Sequence, residues 1–282
     1  MEKRPMTYTP RSLVMDLFGD YFRYSDGEVR LATLTQLLCA YGIEPSSSRM
    51  TMSRLKKEGW FTTRREGRET IYTLSDDMMQ ILVEGRERIF RRIDEPWARR
   101  WTMVLYQVPE SARSTREALR KNLAWLGFGQ LSASVWLAAH NRMTVARELV
   151  NKHPHAEIDV LWSGTESVTE DRALAQRCWD LEALAKDYAA FISKYQMLDD
   201  PEVNLKRPGA EAVELRTRLV GDARRFTFRD PELPIELQPH GWPGREAYDL
   251  FRRLHAQLAP QAVTHVEEIM GAPFRTPPPL GM

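Results

Sequence analysis

One segment constrains the fold of this chain more than any other: Trp60–Leu74, with the sequence WFTTRREGRETIYTL. Aromatic and β-branched residues dominate it, and these residue types favour strands. Glu66-Gly67 interrupts the segment near its middle, which predicts a β-hairpin with a charged tip. Because Gly59 stops a helical pattern immediately before it, the hairpin is expected to follow directly on a helix.

Three helical patterns precede this hairpin. Apolar residues recur at helical spacing in Ser12–Phe22 and in Ala32–Tyr41, with a short extended stretch, GEVRL, between the two. The third pattern, Ser48–Glu58, begins at the last of three serines (46–48), which are suited to cap its first turn. Three helices followed by a hairpin is the order of a winged helix-turn-helix.

The pattern changes after Asp94-Glu95-Pro96, which is expected to follow a charged helix capped by Ser75 and ending near Arg92. Strands then alternate with helices, which predicts an α/β module with a small split βαβ sheet. Its elements are strands at 101–108, 131–138 and 157–162, and helices at 111–126 and 143–152. The remainder is mainly helical, with a long helix at 171–195, a proline-rich corner at 228–244 and a last helix at 245–270.

We therefore expect an α+β fold, since 282 residues accommodate two or three cores. The expected domains are a winged-helix DNA-binding domain with a linker helix (1–95), a ferredoxin-like α/β middle domain (96–168) and a mainly helical C-terminal domain (169–282).

The third helix has two different faces when its residues are placed at about 100° each. Ser48, Met52 and Leu55 share one face and are expected to pack on the first two helices. The opposite face carries Arg49, Met50, Ser53, Arg54 and Lys57, with Lys56 at its edge. Arginine can bind guanine bidentately and methionine can contact a thymine methyl group, so this face suits the DNA major groove.

The hairpin adds cations of its own at Arg64, Arg65 and Arg68, which suit phosphate contacts or a narrow minor groove. From Ser46 to Ser75 there are seven basic and three acidic residues, a net charge of +4, whereas the whole chain carries only +1. This local excess favours DNA binding over an ordinary solvated helix, although winged helices also serve protein–protein contacts.

Several segments resemble the PaaX family, repressors of phenylacetate degradation. They are DLFGDYFRYSDGEVRLATLTQLLCAYGIEPSSSRMTMSRLKKEGWF near the N-terminus, the LGFG segment in the middle, and RRFTFRDPELPIELQPHGWPG near the C-terminus. The resemblance implies a dimeric repressor that leaves its operator DNA when it binds an aryl-acetyl coenzyme A thioester, typically phenylacetyl-CoA. It also implies a middle domain similar to the ferredoxin-like subunit of the CRISPR adaptation machinery.

Two departures from the family pattern bear on the ligand. The family usually has a histidine shortly before the RRF run, whereas this chain reads LVGDA at 219–223, and Gln238 stands where a leucine is usual. A regulator of the same architecture that answers to another acyl-CoA or to a free aromatic acid is therefore an alternative.

Arg224, Arg225 and Trp242 are the candidate effector contacts, since cations beside aromatic rings suit an anionic ligand with an adenine and an aryl group. The alternative is a structural corner in which prolines fix the turns and Asp230 pairs with an arginine. A second cationic set could meet coenzyme A phosphates, but a solvated helix face explains it more simply. That set is Arg113, Arg116, Arg120 and Lys121.

The sequence predicts no enzyme, cofactor or metal site. His153, His155 and Asp159 lack further ligands at suitable spacing. The remaining alternative, a metal-dependent nuclease built on the middle domain, would need a carboxylate at the end of its first strand. That end reads Tyr106-Gln107-Val108-Pro109 and has no carboxylate before Glu110.

No stretch approaches about 18 apolar residues and the N-terminus has no apolar leader pattern, so we expect no membrane partner and a cytoplasmic protein. Cys39 and Cys178 are expected to be buried within helices. The N-terminal unit is expected to satisfy its own core, which places the homodimer contact after residue 95 or so.

Overall fold

The computed structural model describes residues 9–93, 95–153, 156–227, 229–276 and 278. The chain forms two compact units, each assembled from separate segments. The first unit comprises Met1–Arg91, Ile192–Arg224 and Glu246–Met282, and the second comprises Arg92–Phe191 and Arg225–Arg245. Helices and antiparallel sheets occur together, so the fold class is α+β as expected. Within the described ranges, no helix combines the length and apolar character needed to cross a bilayer.

The N-terminal part of the first unit follows the predicted order of three helices, a hairpin and a fourth helix. Its helices are α1 (Pro10–Asp20), α2 (Leu31–Ala40), α3 (Pro45–Lys57) and α4 (Asp76–Phe90). Its strands are β1 (Glu28–Arg30), β2 (Phe61–Glu66) and β3 (Glu69–Leu74). The three strands form one antiparallel sheet in the order β1-β3-β2.

Of the two predicted helix caps, the one on α3 is wrong and the one on α4 is confirmed in position only. Helix α3 begins at Pro45, with Glu44 in the N-cap position, because a proline at the first helical position is already preset for the helix. Ser48 is instead fully buried and donates its hydroxyl to the carbonyl oxygen of Glu44. Ser75 does occupy the N-cap position of α4, but its side chain makes no capping hydrogen bond there.

The second unit contains a four-stranded antiparallel sheet in the order β5-β6-β4-β7. Its elements follow the β-α-β-β-α-β sequence of the split βαβ motif. They are β4 (Trp101–Gln107), α5 (Arg113–Trp125), β5 (Gly129–Ser132), β6 (Val135–Ala138), α6 (Met143–Lys152) and β7 (Glu157–Ser163). The single strand expected at 131–138 is therefore two strands, because Ala133 and Ser134 form a tight hairpin turn after β5 ends at Ser132.

In the part of the chain that the structure describes, five further α-helices follow: α7 (Val168–Cys178), α8 (Leu181–Tyr195), α9 (Pro201–Leu205), α10 (Gly209–Arg224) and α11 (Gly244–Met270). The long helix expected at 171–195 is wrong, since it breaks at Trp179. This residue is extended (φ −135°, ψ 144°) and its indole lies so close to Gly129 that a Cβ atom there would be 2.4 Å away. Asp180 then accepts the backbone N–H of Ala183 in the first turn of α8.

The N-terminal helices do not complete their own core, contrary to expectation. Helix α10 packs on α1, and the Tyr41 hydroxyl at the end of α2 donates to the carbonyl oxygen of Val213 on α10 (3.1 Å). Cys39 is exposed rather than buried. Cys178 is partly buried, and that burial raises the pKa of its thiol to about 12.

The second unit buries apolar side chains on both faces of its sheet. On one face, Val104 and Tyr106 of β4 pack with Leu119 and Leu123 of α5. On the other, Trp101 belongs to a second apolar cluster with Trp97, Leu137, Ala139, Ala175, Leu181, Leu233 and Leu237. The helices and the proline-rich corner thus form layers on a central sheet.

Candidate nucleic-acid interface

Helix α3 presents a polar and cationic face to solvent. Ser48, Met52 and Leu55 are each fully buried, which confirms the predicted inward face. The outward residues are all exposed: Arg49, Met50, Ser53, Arg54, Lys56 and Lys57. Met50 is unusual among them because 71% of this apolar residue is exposed, as a contact to a thymine methyl group would require.

A hydrogen bond joins the hairpin to this helix, and a group of charged contacts lies at the end of α3. Lys56 donates to the Thr63 hydroxyl on β2 at 2.7 Å. At the end of α3, Glu58 accepts a hydrogen bond from Arg11 of α1 (2.5 Å) and forms an ion pair with Arg54 (3.2 Å). Arg11 also lies over the Trp60 ring, 4.1 Å from its centroid.

The two neighbouring arginines of β2 point to opposite faces of the sheet. Arg65 is on the same face as Thr63, the residue that Lys56 of α3 contacts, because alternate residues of a strand share a face. Arg64 is on the other face, where it pairs with Glu28 (3.0 Å) and Glu66 (2.9 Å). These hydrogen bonds raise the pKa of Arg64, and the one from Arg64 is the main cause that lowers the pKa of Glu66.

Arg30 joins the paired set on this outer face. It lies 3.2 Å from Glu66 and 3.2 Å from Glu69, so the outer face of the sheet is neutralised locally. The hairpin turn itself is made at Gly67, whose φ of 61° favours glycine, and it carries the exposed Arg68 at the tip.

Four of the predicted DNA contacts are unengaged cations. Among the described residues, no hydrogen bond or ion pair involves the side chains of Arg49, Lys57, Arg65 or Arg68. Of the other predicted cations, Lys56 contacts Thr63, Arg54 pairs with Glu58, and Arg64 pairs with Glu28 and Glu66 on the outer face.

Sequence reasoning did not single out Arg11 and Glu58. The Arg54–Glu58 pair has the helical i, i+4 spacing that could have revealed it. The Arg11–Glu58 contact joins residues that are 47 positions apart and carries no local signal.

The predicted effector residues fall in different units. Arg224 is the last residue of its first-unit segment, and its Nε lies 3.1 Å from Asp16 Oδ1. Arg225 is exposed and Trp242 is partly buried, both in the second unit. Trp242 packs edge-to-face on Tyr188, with ring centroids 5.9 Å apart.

Tyr188 organises the corner around Trp242. Its ring stacks on Phe226 (4.2 Å between centroids), and its hydroxyl donates to Asp230 at 2.5 Å. Burial is the main cause that raises the pKa of Tyr188, so the hydroxyl keeps its proton. Asp230 also accepts the backbone N–H of Glu232 (2.8 Å). Phe226 and Asp230 thus both contact Tyr188, the residue on which Trp242 packs.

The cations of α5 are engaged locally. Arg113 pairs with Glu117 (3.2 Å), Arg116 donates to the carbonyl oxygen of Val108 (3.1 Å) and Arg120 donates to Gln130 (3.2 Å). Lys121 is exposed. These contacts are typical of a solvated helix face.

The histidines considered for a metal site do not converge in the part of the chain that the structure describes. His153 lies 3.3 Å from the Asn122 amide nitrogen, Asp159 is exposed on β7, and His155 lies outside the described residues. Within the described ranges, no group of three or more potential metal ligands occurs.

Comparisons with known proteins cover most of the chain. Three family models match it: "PaaX-like protein" at residues 9–78, "PaaX protein central Cas2-like domain" at 94–175 and "PaaX-like protein C-terminal domain" at 179–268.

Two individual proteins are similar along nearly the whole length. The Escherichia coli K12 protein named "Transcriptional repressor PaaX" is 28% identical over 91% of this chain and 83% of its own. The solved structure of an uncharacterized Mycobacterium tuberculosis protein, Rv0674, shares the fold with a TM-score of 0.61, at 21% identity over 92% of this chain and 99% of that one. Because matched domains of one family follow each other from residue 9 to residue 268, this chain belongs to the PaaX family.

Proposed function

We propose that this chain is a transcriptional repressor of phenylacetate-type catabolic genes. It binds duplex operator DNA through a winged helix-turn-helix made of α1–α3 and the β2–β3 hairpin. The observation that carries the proposal is the two-sided character of α3, which buries Ser48, Met52 and Leu55 and exposes a cationic face beside a hairpin that has an arginine at its tip. The similarity to the Escherichia coli repressor supports the same function.

In this proposal α3 lies in the major groove. Arg49 and Arg54 bind base edges bidentately, Met50 contacts a thymine methyl group and Ser53 contacts a base edge or phosphate. The remaining cations bind phosphates or enter the minor groove: Lys56, Lys57, Arg64, Arg65 and Arg68. Each cation that contacts a phosphate makes the affinity depend more steeply on salt.

The experiment measures binding of the full chain to a duplex that the wild-type protein selects from a random-sequence library. Arg49→Ala and Arg54→Ala should each weaken binding by about 1–3 kcal/mol if the side chain makes a bidentate base contact. Arg68→Ala should weaken binding to the selected duplex and to a shuffled one alike. If both helix variants bind like wild type, α3 is not the recognition helix.

We further propose that the repressor is a homodimer whose contact lies after residue 95 or so. A single winged helix covers a short half-site, and two-fold symmetry lets a dimer bind two such half-sites. Light scattering on the full chain tests this, with a monomer as the contradicting result.

The effector in this proposal is an aryl-acyl-CoA, with phenylacetyl-CoA as the first candidate. Arg225 is exposed and suits a phosphate, and Trp242 beside Tyr188 suits a ring. Arg224 is the third candidate contact, and its Nε lies 3.1 Å from Asp16 Oδ1. Release from DNA requires that the ligand bind the DNA-free arrangement more tightly than the DNA-bound one.

Calorimetric titration with aryl-CoA thioesters and free aromatic acids, repeated on Arg225→Ala and Trp242→Ala, identifies both the ligand and its site. If a thioester binds and both variants keep full affinity, the ligand binds elsewhere. If only a free acid binds, the alternative regulator is the correct one.

We propose no catalytic role. The first strand of the second unit, β4, ends at Tyr106-Gln107 without the carboxylate that a metal-dependent nuclease of the ferredoxin-like type would need there. Incubation of the protein with duplex and single-stranded DNA and with Mg²⁺ or Mn²⁺ tests this, and cleavage that requires the metal would contradict it.

A further inference from the structure

Helix α1 is held at its C-terminal half by two buried carboxylates. Asp16 and Asp20 are only 4% and 2% exposed, although they are charged residues one helical turn apart. Both face α10: Arg224 Nε lies 3.1 Å from Asp16, and Arg216 Nε lies 3.3 Å from Asp20.

The contact at Asp20 is the more deeply buried of the two. Arg216 is fully buried and its guanidinium lies over the ring of Tyr21, 5.3 Å from the centroid. Asp20 also lies 2.9 Å from His255 Nε2 on α11 and 3.7 Å from Arg86 on α4. Because charges buried in low dielectric interact strongly and tolerate little displacement, this group fixes α1 against α10 and α11.

The N-terminal end of the same helix is connected through Glu58 to Arg54, one of the proposed base contacts. Arg11 donates to Glu58 at 2.5 Å and stacks over Trp60, and Glu58 in turn forms an ion pair with Arg54 at 3.2 Å. Arg54 is on the outward face of α3, with 69% of its side chain exposed. An unheld arginine of this kind would lose about 2 kcal/mol of rotamer entropy on binding a base.

We infer that Arg11 and Glu58 are positioning residues for Arg54. We also infer that the contact between α1 and α10 determines where this pair lies. The inference rests on the proposed DNA binding by α3. Helix α1 has three turns and packs on both α3 and α10. Because Arg224 of α10 contacts Asp16, a displacement of α10 at Arg224 moves Asp16. The N-terminal end of α1, where Arg11 contacts Glu58, then moves as well. Arg54 is thus oriented before DNA arrives, by residues that touch no base themselves.

The experiment measures discrimination, defined as the affinity of the full chain for a selected duplex divided by its affinity for a shuffled duplex of equal composition. Arg11→Ala should lower discrimination by roughly 2- to 150-fold, the range of coupling between contacting residues. Arg91→Ala is the matched control, because it removes the same charge from an exposed pair at the end of α4 and should leave the ratio unchanged. Arg11 and Glu58 are each more than a third exposed, so these variants should fold.

Double variants decide whether Arg11 acts through Glu58. In a Glu58→Gln or an Arg54→Ala background, Arg11→Ala should have no further effect on discrimination. Equal loss in all backgrounds would mean that Arg11 contacts DNA directly and would overturn the inference. Discrimination equal to wild type in Arg11→Ala would also overturn it.

A second variant tests the connection to α10. Arg224→Ala should lower discrimination in the same direction, and Arg224→Lys, which keeps a cation near Asp16, should restore part of it. If Arg224→Ala discriminates like wild type while folded, α10 does not act through α1. A wild-type chain that selects no sequence at all would instead contradict the proposed function, and the positioning role with it.

Discussion

The two units differ in what their cores are made of. The core of the first unit contains ionisable side chains, with Arg216 fully buried against Asp20 and His255. The second unit is centred on tryptophans, with Trp97 and Trp101 packed edge-to-face at 5.8 Å. Apolar burial is non-directional, whereas a buried ion pair depends steeply on distance and on the charge of each partner. We therefore expect charge and pH to act mainly on the first unit, which carries the proposed DNA-binding face.

The largest loss of unfolding free energy should follow from removing one charge of the buried Asp20–Arg216 pair. Arg216→Met leaves Asp20 buried without its main partner, and removing one member of a buried pair costs about 3–5 kcal/mol of unfolding free energy. Denaturation followed separately by far-UV circular dichroism and by fluorescence measures it. Seven of the eight tryptophans lie in the second unit, so fluorescence reports mainly on that unit.

The double variant Asp20→Asn/Arg216→Met is the control, because it removes both charges and should recover part of the loss. A single variant as stable as wild type would show that the buried pair contributes nothing, and the contrast between the two cores would not hold.

Acid should destabilise the first unit next most strongly. Burial and the nearby Arg216 lower the pKa of His255 from 6.5 to about 4, although Asp20 opposes the shift. Between about pH 6.5 and pH 4, this histidine is therefore protonated in the unfolded chain but not in the folded chain. The free energy of unfolding consequently falls as the pH falls through this window. A shift of this size corresponds to a loss of about 3 kcal/mol at the acid end.

Thermal or urea unfolding at several pH values from 7.5 to 4 measures this slope. Asp20 stays ionised across the window because Arg216 and His255 lower its pKa, so it does not add to the change. His255→Gln should flatten the slope. A slope that survives this substitution would assign the pH dependence to other groups.

In the second unit, substitution of Trp101 should lower the free energy of unfolding by less than the two changes above. Trp101 Nε1 donates to the buried Asp171 at 2.7 Å, so Trp101→Phe leaves a buried carboxylate oxygen without its donor and should cost about 1–3 kcal/mol. Trp97→Phe is the matched control, since Trp97 Nε1 donates to a neutral backbone carbonyl of Ala139 at 3.2 Å. The Trp97 variant should be the less destabilised of the two in urea denaturation, and the reverse order would contradict this account.

The sequence predicted elements whose signals are local. The two faces of α3 follow from helical periodicity alone, and the β2–β3 hairpin follows from residue type and Gly67. The core partners of α1 could not be predicted in the same way. Asp16 and Asp20 would ordinarily be read as exposed charges, and Arg216, which buries Asp20, lies 196 positions further along the chain.

The break between α7 and α8 has a similar cause. Nothing in the helical pattern from 171 to 195 marks Trp179, which leaves the helix because its ring packs over Gly129 on β5. At the candidate interface, residue types identified the cations, but only the strand register shows that Arg64 and Arg65 point to opposite faces. Contacts between elements thus determine the helix break and the orientation of these arginines, neither of which follows from sequence periodicity.

The smallest predicted effect extends the comparison of the two units to their exposed cations. Arg65 is available on the α3 side of the hairpin, whereas Arg64 already pairs with Glu28 and Glu66. Loss of a phosphate contact weakens binding to all sequences about equally and lowers the salt slope by about 1. Arg65→Ala should therefore lower the affinity for both selected and shuffled DNA and reduce this slope. Arg64→Ala should have a smaller effect on both the affinity and the slope, because its carboxylate partners offset its charge. Arg113→Ala removes the same charge from α5 of the second unit and should change neither quantity. Titrations at several salt concentrations separate the three variants, and a larger loss for Arg113→Ala than for Arg65→Ala would place the DNA-binding surface on the second unit.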